Sequence, residues 1–121
     1  MSYGLCFWSE RPEARLDPQT VYEGLLDGAE VEGLLHLSID AYLQALANAF
    51  PAGTREPNGT SEWFVWEGSS SMFEVWWSAV HVLVIMRPLD EGNANRLIDL
   101  AAAFGAPLYD PQTGERFALP G

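Results

Sequence analysis

Residues 62–87 read EWFVWEGSSSMFEVWWSAVHVLVIMR, and this stretch decides the fold. It divides into three apolar, β-branched and aromatic runs at about Glu62–Glu67, Met72–Trp77 and Val80–Arg87. Gly68-Ser69-Ser70-Ser71 separates the first two runs, and Ser78-Ala79 the next two. Connections this short can only join antiparallel neighbours. Pro88 ends the third run, because proline brings no N–H to the ladder.

Both side-chain parities of these runs are apolar. Val80, Val82, Val84 and Met86 alternate with His81, Leu83, Ile85 and Arg87. Trp63 and Val65 alternate with Phe64 and Trp66, and Phe73, Val75 and Trp77 with Met72, Glu74 and Trp76. An antiparallel sheet with helices on one side needs only one apolar face. The second face therefore needs a cover. Either the connector Val31–Leu37 or a helix supplies it, or part of the face is a protein interface, in which case a homodimer is one arrangement. Tryptophans are efficient interface anchors, which makes Trp63, Trp66 and Trp76 candidates for partner contact.

Outward from this centre, Tyr3–Trp8 is apolar on both parities and reads as a strand covered on both faces. Asp17-Pro18 opens a helix to about Asp27, with Val21, Tyr22, Leu25 and Leu26 at helical spacing. Val31–Leu37 is apolar but interrupted by Gly33, and it reads as a buried connector with room for one strand-like or helical turn. Ser38 is placed to cap a second helix, with Ile39, Tyr42, Leu43, Leu46, Ala47 and Phe50 on one stripe and Pro51 at its end. Thr54–Thr60 is polar and reads as a loop, its Asn58-Gly59-Thr60 sequon as a turn. Asp90 caps a last helix carrying Ala94, Leu97, Ile98, Ala101 and Phe104, which Gly105 ends. Leu108–Phe117 is a hairpin turning at Asp110-Pro111 and Gly114. Tyr109–Gly114 resembles the turn of the designed mini-hairpin chignolin, with Gln112 in place of a glutamate. The element order is β-α-α-β-β-β-α-β(β). It predicts a single α+β domain over residues 1–121, a mainly antiparallel sheet with helices packed on one face.

The 121 residues carry 17 acids against six bases, a formal charge of -11, and every base is arginine. This excludes a general nucleic-acid binder and a protein docked on anionic membrane. The N-terminal residues lack the pattern of a signal peptide, and Ala79–Met86 is too short to span a bilayer. With one free thiol, Cys6, these features place the chain in the cytoplasm.

The acids concentrate early. Residues 10–32 hold seven acids against Arg11 and Arg15, which is -5 of the total. Glu23, Asp27, Glu30 and Glu32 surround one helix end and the loop after it, so they are the candidate seat of a basic partner. Tyr109, Gln112 and Arg116 are a second candidate, a recognition tip on the last hairpin. No catalytic or metal motif emerges. Asp27–Glu30 lacks calcium-loop spacing, His36 and His81 share no metal pattern, and Cys6 on an interior strand is inert. No serine elbow or phosphate loop is present, and Glu62, Glu67 and Glu74 read as edge protection. No cofactor is implied.

Four segments together carry a resemblance: Tyr3–Trp8, the helix ending in Phe50-Pro51, Asn95–Asp99, and Tyr109–Gln112. In these the chain resembles small uncharacterised bacterial α+β proteins associated with immunity partners in toxin systems. The resemblance implies a function in binding, with no catalytic residue: occlusion of a basic toxin domain. Two other classes stay open. One is a dimeric secretion chaperone that holds an effector segment on apolar surface. The other is a small-ligand or carboxylate-based enzyme domain, which needs a pocket with convergent carboxylates or a histidine.

Overall fold

A computed structural model describes residues 2–59 and 61–117. Its elements are β1 (Tyr3–Trp8), α1 (Pro18–Leu26), α2 (Ile39–Ala49), β2 (Thr54–Asn58), β3 (Ser61–Glu67), β4 (Met72–Trp77), β5 (His81–Arg87), α3 (Glu91–Ala103), β6 (Leu108–Asp110) and β7 (Glu115–Arg116). All seven strands form one antiparallel sheet in the order β2-β3-β4-β5-β1-β6-β7. The α+β class and the antiparallel sheet agree with the sequence reading, and the element order matches apart from one added strand, β2.

The first strand of the chain lies inside the sheet, between β5 and β6. That position explains why both its parities are apolar. Leu5 and Phe7 enter the main core, and Cys6 and Trp8 enter a second core on the opposite face. The main core is closed by α2 and α3, through Tyr42, Leu43, Leu46, Leu97 and Ala101 over Phe64, Phe73, Val75, Val82, Val84 and Met86. The spacing of these residues on their helices is the 3.6-residue stripe seen in the sequence, except that Ala47 is exposed.

Several boundaries follow from capping chemistry. Asp17 Oδ2 accepts from the Thr20 N–H at 3.0 Å, closing the first turn of α1. Its carboxyl sits below the usual range because the Thr20 hydroxyl and N–H both bond the ionised form. Asp90 Oδ1 does the same for Asn93 at 3.2 Å in α3, and Gly105, at φ +77°, provides the left-handed residue that ends the helix. Ser38 stands at the start of α2, but its hydroxyl makes no capping bond.

Three expectations need correction. Residues 54–58 are a strand and not a loop; only Thr60 of the expected loop lies outside the described residues. This strand is the sheet edge, so it needs no apolar alternation, and Pro57 is tolerated there. The helices do not all share one face: α1 packs on the second face through Val21 and Leu25 against Cys6, Trp8 and Tyr109. The connector 31–37 is not buried along its length: it turns at Glu32–Gly33, buries Leu34 and leaves Leu35 exposed, and its one strand-like contact is an isolated bridge between Glu10 and Leu34 beside the bond from Leu35 N–H to Ser9 O at 2.8 Å.

Candidate functional site

Strand register sorts the second face into rows. One row runs Glu56, Trp63, Trp76, Leu83, Cys6, Tyr109 from the β2 edge to β6, and the next runs Thr54, Val65, Glu74, Ile85, Gly4. A third holds Glu67, Met72 and Arg87. The β1–β6 end of this face is covered by α1 and the connector. Among the described residues, neither buried core reaches Trp63, Val65, Met72 or Trp76, which are half-buried by their sheet neighbours alone. The expected cover by a helix and the connector is present over one half, and among the described residues the other half is open.

The three candidate tryptophans separate. Trp63 and Trp76 share the open half and touch edge-to-face, with centroids 5.0 Å apart and planes at 74°. Trp66 points to the other side, stacked on Phe73 at 5.3 Å and edge-on to Phe50, so it closes the end of the main core.

Glu74, read from sequence as edge protection, lies on central strand β4 and is buried. Its Oε1 accepts from Arg87 Nη1 at 2.9 Å, and its Oε2 faces Trp76 Nε1 at 3.4 Å. Glu62 projects to the opposite face and pairs with Arg55 at 3.0 Å, while Arg55 lies over the Trp77 ring at 5.5 Å.

Glu23, Asp27, Glu30 and Glu32 are all exposed, and none makes an ion pair among the described residues. Glu30 and Glu32 line an open cleft of about 710 Å³ with Glu13, His36, Arg11 and Val80. No three His, Cys, Asp or Glu residues among those described group closely enough to hold a metal ion. The cleft lies on the side of the sheet that carries α1, so the acidic segment and the open tryptophan pair face the same way.

The three hairpin candidates are tied into the fold to different degrees, with Gln112 exposed, Arg116 half-buried and Tyr109 turned inward. Tyr109 is fully buried, tilted against Trp8 and Tyr22, and its hydroxyl donates to Gln19 Oε1. Arg116 stacks over the Trp8 ring with Cζ 4.3 Å from the centroid, donates to Trp8 O at 2.7 Å, and also bonds Pro107 O. Burial lowers its pKa, and the Glu10 carboxylate opposes that shift. Gln112 has its amide on the backbone of Gly4, accepting the N–H at 2.6 Å and donating to the carbonyl at 2.9 Å. It stands in for a paired strand where β6 has ended.

Burial shifts the titration of two further groups on this face. Burial pushes the Cys6 thiol up to about 12. His81 sits beside Trp8 with Nδ1 2.6 Å from Ser78 Oγ, and burial lowers its pKa. A lowered histidine pKa favours the neutral ring in the folded state. Its contribution is therefore complete above the ordinary value of 6.5 and is lost as pH falls from there through the folded value. Urea unfolding at pH 7 and pH 5 should show a smaller acid loss in His81→Gln than in the parent chain. Equal losses would show that His81 is not the group responsible.

No helix among the described residues is long and apolar enough to cross a membrane. Compared with protein-family models, with curated proteins and with solved structures, the chain matches none.

Proposed function

We propose that this chain is a non-catalytic, acidic protein-binding module, an immunity-type protein that occludes a basic toxin domain in the cytoplasm. What carries the reading is one juxtaposition: the acids Glu23, Asp27, Glu30 and Glu32, which make no ion pair among the described residues, on the same side of the sheet as an open half-face bearing paired tryptophans. Three of the six arginines are tied into ion pairs elsewhere, and Arg96 lies 4.2 Å over the Phe50 ring. The negative field of residues 23–32 is thus left free to act on a partner.

The division of labour follows from physics. Exposed charges accelerate and orient encounter but add little to the strength of the final complex. Aromatic anchors that become desolvated set the residence time. The mechanism is steric: a bound module covers the toxin's working surface, and no bond is made or broken.

Co-expression tests this reading. The product of the gene adjacent to this one is expressed with and without the chain. Growth arrest relieved by the chain, with a stable complex recovered on purification, is the expected result. A harmless neighbour, or toxicity that the chain fails to relieve, contradicts the immunity reading.

A further inference from the structure

The open half-face is specific enough to say what kind of group it takes. Across strands β2 to β5 it spans roughly 20 Å, and along them about the same, from strand spacings of ~4.8 Å and rises of ~3.3 Å per residue. It therefore offers on the order of 400 Å² per copy. Two copies packed face to face would bury about 800 Å², short of the roughly 1,200 Å² at which specific interfaces begin. A second copy would also bring -11 against -11. Both arguments disfavour a homodimer, and with it the dimeric chaperone. They favour a heterologous partner that extends past the patch onto the acidic segment of the same side.

The chemistry of the patch is complementary to a cation. Among the described residues, Glu56, Glu67 and Glu74 project from this half-face with Arg87 as the single base. Among the described residues, Glu74 Oε2 has only the long 3.4 Å contact to Trp76 Nε1 as a donor. Beside it lies the Trp63–Trp76 pair. A planar guanidinium both stacks on aromatic faces and forks onto carboxylates, which an ammonium does less well. We infer that the open half-face seats an arginine side chain of the basic partner, stacked on the Trp63–Trp76 pair and bonded to Glu74. This rests on the proposal that the partner is basic, and adds where the partner sits and which side chain it inserts.

The test uses the full chain, ¹⁵N-labelled, titrated with a synthetic nona-arginine peptide at low ionic strength. The five tryptophan indole N–H signals report the site. The expected result is a saturable shift of the Trp63 and Trp76 indoles, with Trp8 and Trp66 unmoved. Affinity should fall at least tenfold in Trp76→Ala. The doubly substituted Glu56→Gln, Glu67→Gln chain, altered only at exposed positions, should bind several-fold more weakly, and nona-lysine should bind more weakly than nona-arginine. Shifts confined to residues 23–32, unchanged by Trp76→Ala, would overturn the seat while leaving a basic partner standing. No binding on any surface would overturn the basic partner as well. Sedimentation showing a dimer that Trp63→Lys dissociates would give the face to a second copy.

Discussion

Replacing Arg116 with alanine lowers the unfolding free energy by about 3 kcal/mol and the melting temperature by roughly 10 °C. The size follows from what this side chain holds. Its guanidinium donates to the carbonyls of Trp8 and Pro107, tying the end of β1 to the segment that leads into β6. Each carbonyl deprived of a donor costs about 1–3 kcal/mol when buried. The same group covers one face of Trp8, which is itself fully buried in the second core. Arg116→Lys keeps the charge but loses the planar stack and the second donor, so it should recover only part of the loss. Urea unfolding reads all three chains. An alanine variant as stable as the parent would mean the clamp contributes nothing.

Asp110→Ala has a comparable effect, about 2–3 kcal/mol. Oδ2 accepts from the Tyr3 hydroxyl at 2.7 Å, and Oδ1 accepts from Gln112 N at 2.9 Å and from its side-chain Nε2 at 2.6 Å. Without the carboxylate the Gln112 amide loses its anchor. Its two bonds to Gly4, which finish the edge of β1, weaken with it. Hydrogen exchange separates this from a general loss of stability. The Gly4 amide should lose protection in Gln112→Ala while the amides of β4 and β5 keep theirs. A Gly4 amide that stays protected would show that this surrogate pairing is not formed.

These two residues also mark where sequence reading stopped. The turn at Asp110–Gly114 was visible because Asp-Pro and a glycine at φ +76° are local requirements. What the turn packs against was not visible, because it depends on β1 pairing with β6, a contact over more than a hundred residues. Tyr109 and Arg116 therefore looked like a display on a tip, while in the fold Tyr109 packs against Tyr22 of α1 and Arg116 lies over Trp8. The strands of residues 61–87 were legible from apolar runs and short loops. The edge strand β2 was not, since a strand that borders solvent carries no apolar alternation.

The tryptophans show a finer limit. A four-residue connection between Glu67 and Met72 sets the register of β3 on β4, and that register alone puts Trp63 opposite Trp76 and Trp66 opposite Phe73. This much was contained in the sequence. Which face α1 would take was not, because both faces of β1 are apolar and either could have received it. The acids of residues 23–32 were legible as a surface from their density, and all four lie exposed.

The central claim is that negative charge on the α1 side draws in a basic protein. Stopped-flow association with the isolated partner, at salt concentrations from about 50 to 300 mM, tests it most directly. The account predicts an on-rate that falls steeply with salt. It further predicts a roughly tenfold lower rate at low salt for Glu23→Lys combined with Asp27→Lys, a gap that closes as screening increases. An on-rate indifferent to salt and to both reversals would contradict it.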